Sequence, residues 1–402
     1  VSTQTLLHID DLANEALVQF ENALELGKVA DRQYDDSFAK RGAKIGSALR
    51  VREPVQMVAA SGRALQVNNI EEKYQDVTVA DQRHVAWPFN SADMSLVLDE
   101  YSDRYIKPAA AELASVVDIA GHATALTNVY QTYGTPGTDP NSSAIWLNAK
   151  AMIKAQGAPN SAKMIALINE NAEVATLEAF SGRYNSQSTI GKQFDSGELM
   201  NALGISYRMT QNIPKFTTGT GIALGTTSAA KTSGTTISVT GGTANGVVKA
   251  GTIFEVADNK VYNQANHSIT SQTQQFVVQA DVTLNGSGVG DLVVLPEIIT
   301  TGNYKNMGGV GNGKTITVKS GTTASTSYSQ NLLLADKSLA LVFADLPKVS
   351  APQVSIKRSK NMSIRIIQTY DVHSDQEIFR LDALFGWSWL RRQFAVRVPG
   401  NA

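Results

Sequence analysis

The stretch from Leu98 to Tyr133 constrains the fold most, because everything around it reads as material hung on a long helix. Its apolar residues are Tyr101, Tyr105, Ile106, Ala109, Leu113, Val116, Val117, Ala120, Ala123 and Tyr130, mostly three or four positions apart. That spacing predicts a helix with one buried stripe. Glu112 and Asp118 fall off the stripe, and Gly134-Thr135-Pro136-Gly137 ends it. Pro108 either occupies the first turn of a helix beginning near Lys107 or kinks a longer one. From Lys107 to Tyr133 the helix would run about 40 Å at ~1.5 Å per residue. A helix of that length flanked by β-rich segments reads as a structural beam rather than the wall of a small-molecule pocket.

The segments before the beam read as extensions. Residues 1–46 open with an amphipathic helix whose stripe is Ile9, Leu12, Ala13, Ala16, Leu17, Phe20, Ala23 and Leu24, with Asp10 and Asp11 in its first turn and Gly27 after its last. One such helix cannot bury its own face, so it must dock on the rest of the chain or on a neighbouring copy. Residues 47–95 read as a long two-stranded β-loop: Leu49 to Val55, Val77 to Val79 and Val85, Trp87, Phe89 all alternate. Its tip is the small-residue run Ala59-Ala60-Ser61-Gly62-Arg63. A ribbon of that kind is marginal alone. Leu12 and Phe20 of the helix, and Gly62 and Arg63 of the tip, are therefore the candidate contacts to neighbouring subunits.

After the beam (residues 96–140) comes a mixed body, residues 141–216. Helices are expected over 144–157, 173–180 and 195–203, and strands over 162–168 and 205–209. The composition then breaks. Residues 217–330 are rich in Thr, Ser, Gly and Val, contain no Arg, and carry six Lys against five acids. Alternating runs at 236–239, 252–256, 276–278, 291–295 and 315–318 are separated by Gly241-Gly242, Asn245-Gly246 and Asn285-Gly286. This predicts a small antiparallel barrel or sandwich inserted into the body. Residues 331–402 return as strands, ending in Phe394 to Val398 and Pro399-Gly400.

Chemistry is sparse. Gly308 to Thr315 satisfies the phosphate-loop pattern G-x(4)-G-K-[ST]. Such a loop needs a buried strand before it and a helix after it, whereas here a β-alternation follows, so it reads as a glycine-rich hairpin. The five histidines (8, 84, 122, 267 and 373) are scattered, and with 0 Cys there is neither a thiolate metal site nor a disulfide. There is no G-x-S-x-G elbow. Asp35-Asp36 and Glu71-Glu72 read as solvated turns, and Arg391-Arg392 as a phosphate contact or, better, as partners of acids across an interface. No catalytic residue, cofactor or metal is assigned. The formal net charge of −1 excludes a bulk basic field. Asp10, Asp11 and Glu15 interrupt any signal-peptide core, and nowhere do ~18 apolar residues run together to span a membrane.

Several segments resemble the major capsid (coat) proteins of tailed double-stranded-DNA bacteriophages, of the P-twenty-two-like type. They are Arg32 to Phe38 with Gly42 to Gly46, Tyr105 to Ala111, Gly134 to Gly137, Gln211 to Pro214, Tyr370 to Val372 and Arg380 to Trp387. The resemblance covers residues 5–215 and 331–400 and is weakest in the insertion. It implies a Hong-Kong-ninety-seven-like capsid fold, α+β, with an N-terminal arm (1–46), an extended β-loop (47–95), a spine helix in a peripheral domain (96–140), an axial domain (141–216), an inserted β-barrel domain (217–330) and return strands (331–402). It also implies self-assembly into hexamers and pentamers of an icosahedral virion shell. Scaffolding protein and portal would be its partners, packaged double-stranded DNA would lie on its inner face, and assembly would take place in the host bacterial cytoplasm. A bacterial compartment shell protein of the same fold is the alternative, and a β-rich adhesin or a phosphate-loop NTPase are alternatives of other classes.

Overall fold

The computed structural model describes residues 9–32, 47–52, 57, 72–90, 102–180, 201–347, 353–359, 361–373 and 376–401. In chain order the helices are α1 (Ile9–Ala23), α2 (Leu26–Val29), α3 (Lys107–Asn128), α4 (Ser143–Ala155) and α5 (Glu170–Phe180). The first strands are β1 (Ser47–Arg52), β2 (Tyr74–Val79), β3 (Asp81–Asn90), β4 (Met164–Ile168), β5 (Asn201–Ala202), β6 (Ile205–Met209) and β7 (Lys215–Thr217). The insertion holds β8 (Thr226–Thr227), β9 (Ser233–Thr240), β10 (Val247–Val248), β11 (Ile253–Asn263), β12 (Ser268–Val278), β13 (Val282–Thr283), β14 (Gly290–Ile299) and β15 (Ile316–Val318). The return strands are β16 (Ser327–Ala335), β17 (Leu339–Ala344), β18 (Gln353–Ser359), β19 (Met362–Asp371), β20 (Gln376–Trp389) and β21 (Ala395–Pro399). The fold is mixed α+β, and the chain divides into two compact units.

The beam is shorter than its pattern suggests. A π-turn at Ser102–Ile106 leads into α3, whose 22 residues span about 33 Å. Pro108 is the second residue of α3, and the helical run changes from π to α geometry just before it. Positions 106, 109, 110, 113, 114, 117, 118, 121, 122 and 125 are buried, an unbroken i, i+3, i+4 stripe. Asp118 therefore lies on the stripe, not off it, and Ala123 faces solvent. The helix stops at Asn128 because the chain then pairs with the C-terminal strand: the Arg397 N–H donates to the Gln131 carbonyl at 2.8 Å and the Tyr133 N–H donates to the Arg397 carbonyl at 3.1 Å.

The first unit comprises residues 1–53, 74–121 and 339–390. Its sheet runs β17-β20-β19-β18, with β3 pairing along the other side of β20 from Asn90–Gln376 to Asp81–Phe385. β20 runs for 14 residues, from Gln376 to Trp389. β1 and β2 form a separate two-stranded ribbon. Val77 and Val79 of that ribbon pack with Val342, Ala344, Leu346 and Leu384. Helix α1 lies on β18 and β19. Its stripe of Ile9, Leu12, Ala13, Ala16, Leu17 and Phe20 is buried there, while Gly27 falls within α2 rather than after the last turn.

The second unit comprises residues 54–73, 122–338 and 391–402. Its body sheet runs β21-β16-β4-β6-β5, antiparallel except for β4 and β6. Trp146, Ile153, Ile168, Tyr207, Leu333 and Val396 are among its core residues. Residues 201–202 form a strand where the sequence suggested a helix, because Asn201 and Ala202 pair antiparallel with Ser206 and Ile205; residues 195–200 lie outside the described set. In the insertion β15-β11-β12-β14-β9-β8 form one sheet, and a bridge between Thr226 and Thr315 joins its two ends. This closure makes a barrel and leaves no open edge there. Ile237, Val239, Phe254, Val256, Phe276, Val278, Leu292 and Val294 alternate into its interior. Ile253 and Val277, of opposite parity, pack outside it with Tyr130.

Candidate functional site

The residues proposed as neighbour contacts divide in two. Leu12 and Phe20 are 3% and 0% exposed within the single chain. The Phe20 ring meets Phe343 edge-on at a centroid distance of 6.0 Å. The helix thus docks on its own sheet, the first of the two options its stripe left open. Gly62 and Arg63 lie outside the described residues.

The Gly308 to Thr315 loop is committed to the barrel. The N–H groups of Gly308, Val310 and Gly313 donate to the carbonyls of Lys260, Lys231 and Thr227 at 3.2, 2.9 and 2.8 Å. The Lys314 N–H donates to Thr227 Oγ1 at 2.9 Å, and the Lys314 ammonium pairs with Asp258 at 2.7 Å. Amides and a lysine that would hold a phosphate are thus occupied, and β15 follows where a helix would be needed. Among the described residues no group of three or more His, Asp or Glu is placed to hold a metal ion, and no helix is long and apolar enough to cross a membrane.

Two buried polar sites lie along α3, and periodicity did not reveal their roles. Near its middle, Asp118 is 1% exposed, and its carboxylate accepts the backbone N–H groups of Glu25, Leu26 and Gly27 at 2.6, 3.1 and 3.1 Å. Those are the free amides at the start of α2, so a residue 91 to 93 positions away caps that short helix. Burial pushes the carboxyl up to about 6, opposed by the three amides. One turn on, His122 is buried with neither ring nitrogen hydrogen-bonded, and burial pushes it down to about 4.

At the C-terminal end of α3 the capping groups also come from afar. Arg397, on β21, donates from Nη1 to the Leu126 carbonyl at 3.0 Å and from Nη2 to the Gly251 carbonyl at 2.8 Å. Gln279 Nε2, from the insertion, donates to the Thr127 carbonyl at 2.6 Å. Arg397 is 1% exposed, and its guanidinium lies 5.5 Å from the Phe216 ring centroid. Burial pushes it down to about 9, while the negative end of the helix offsets part of that cost. Gly251 is required here: at φ +92° a side chain is strained, and a Cβ would stand 2.9 Å from the Leu126 carbonyl oxygen. The sequence carried no signal for this burial, because alternation sets Arg397 on the face of β21 opposite Phe394, Val396 and Val398, where an Arg is unremarkable.

No family model matches the chain, and no curated protein matches it. Among solved structures it is similar in fold to that of Mycobacterium phage Che8, at 12% identity and TM-score 0.45, over 94% of this chain and 90% of that one. It is likewise similar to the capsid of Ralstonia phage GP4, at 7% identity and TM-score 0.46, over 94% and 93%. A third is the virus-like particle from Pyrococcus furiosus, at 7% identity and TM-score 0.43, over 96% and 97%.

Proposed function

We propose that the chain is a structural coat protein of a tailed bacteriophage, of the P-twenty-two-like type, that assembles as hexamers and pentamers into an icosahedral shell around double-stranded DNA. The observation that carries this reading is the β1–β2 ribbon. Val77 and Val79 of β2 are buried, and β1 and β2, paired from Ser47–Val79 to Arg52–Tyr74, have no third strand among the described residues. A two-stranded ribbon is marginal in water and becomes stable when laid on another surface. Repetition of weak contacts by symmetry then gives a strong shell. Of the segments that resemble coat proteins, Tyr105 to Ala111 leads into α3, and Arg380 to Trp387 lies within β20. In this reading the protein is structural and not an enzyme, its partners are other copies of itself, a scaffolding protein and a portal, and it is built into virions in a bacterial cytoplasm.

Electron microscopy of the chain co-expressed with its scaffolding protein tests the reading. Closed, uniform icosahedral particles are expected. Folded monomers or small oligomers in the presence of scaffold would overturn it, and particles that enclose protein cargo without nucleic acid would favour a compartment shell.

A further inference from the structure

We propose that one end of the body sheet of the second unit, centred on Lys163, Lys337 and Arg391, is a surface for the phosphate backbone of duplex nucleic acid. This rests on the coat-protein reading for the source of the polyanion and names the face that meets it. The strand register places the three cations together. β4 begins at Met164 opposite Ala335, the last residue of β16, and β21 begins at Ala395 opposite Leu334. Lys163 directly precedes β4, and its carbonyl accepts the Asp336 N–H at 2.9 Å. Lys337 follows Asp336, and the Arg391 N–H donates to the Ser338 carbonyl at 3.0 Å.

Three further features separate this cluster from an ordinary solvated face. The barrel's Lys249, Lys314 and Lys319 each pair with a carboxylate, Asp281, Asp258 and Glu255, at 2.6, 2.7 and 2.9 Å. Lys163 and Lys337 are exposed and Arg391 half-buried, yet none of these three has a carboxylate within ion-pair distance among the described residues. Lys337 also holds φ +61° at the turn, a conformation that Gly or Asn adopts at lower cost. The Arg391 guanidinium is propped 5.6 Å from the Phe394 ring centroid, which leaves its hydrogen-bonding edge available for a phosphate. In a chain of net charge −1 this local excess of cations is an electrostatic footprint for phosphates without base readout.

The test is the salt dependence of binding of the purified full chain to a short labelled DNA duplex. The wild type is expected to bind, and the triple variant Lys163→Ala, Lys337→Ala, Arg391→Ala should lose nearly three units of the slope of log K against log salt, at ~0.9 per phosphate contact. A control, Lys249→Ala, Lys314→Ala, Lys319→Ala, removes the same formal charge and should keep the wild-type slope. Lys163→Gln with Lys337→Gln, both at exposed positions, serves if the triple variant does not fold, and should lose nearly two units. Equal losses in the cluster and control variants, no duplex binding by the wild type, or binding of poly-glutamate in place of duplex (an acidic polypeptide partner) would overturn the proposal. Shell formation is scored separately. A cluster variant that builds shells with an unchanged slope sinks this surface alone, whereas a wild type that builds none sinks the coat-protein reading.

Discussion

Asp118 and His122 sit one turn apart on the buried stripe of α3 and titrate in opposition. Asp118 is raised to about 6, so on acidification the folded chain takes up its proton before the unfolded chain does. Stability from this group rises as pH falls from about 6 to 4, on the order of 3 kcal/mol. His122 is lowered to about 4, so the unfolded chain takes up that proton first, and stability falls as pH drops from about 6.5 to 4. The two slopes nearly cancel. Relative to wild type, His122→Leu should therefore gain thermal stability on acidification across this window and Asp118→Asn should lose it, which melting curves between pH 4 and 7 would show. Asp118→Ala differs from both, since it strands the buried N–H groups of Leu26 and Gly27 at about 1–3 kcal/mol each, and the half-buried one of Glu25. Arg397→Met should cost about 3 kcal/mol or more, because two buried carbonyls lose their donor; denaturant melts that leave stability unchanged would show the contact to be incidental.

Among the elements, α1 and the glycine-rich loop carry predictions that separate competing roles. Phe20 is fully buried against the chain's own sheet. Phe20→Ala should therefore lower the stability of the isolated subunit by about 3–5 kcal/mol, read by urea melts. A residue that serves only a neighbouring copy would leave that melt unchanged. Lys314 pairs with Asp258 on an exposed part of the barrel, so Lys314→Ala should change stability by no more than ~0.5 kcal/mol. Nucleotide turnover that appears in the wild type and vanishes in that variant would revive the phosphate-loop reading. The barrel explains why the pattern misleads. Closing six strands into a ring needs tight glycine turns, and φ of +101° at Gly309 and +66° at Gly313 meets that need without any ligand.

At the scale of the whole molecule, the chain divides into two compact units, each with its own sheet and core, and carries a ribbon whose two strands pair with no third strand among the described residues. The barrel of the second unit closes on itself, whereas among the described residues β1 and β2 pair only with each other. In the coat-protein reading proposed above, assembly is the means by which such a pair gains cover. The shell expected in electron microscopy is thus a prediction about an unfinished surface.

Local pattern determined much of this protein. Periods of 3.6 and 2 located α1, α3, α4 and most strands, and the abrupt loss of Arg with the gain of Thr and Gly located the inserted barrel. These features are legible because each is written in neighbouring residues. Tertiary structure alone decided where α3 stops, since Gln131 and Tyr133 leave the helix to pair with Arg397 far along the chain. It alone turned Asp118 from a surface acid into the cap of α2 and sent α1 to its own sheet. Hydrophobic period measures which face is buried, not what buries it, and a polar side chain belongs inside only when groups distant in sequence arrive to satisfy it.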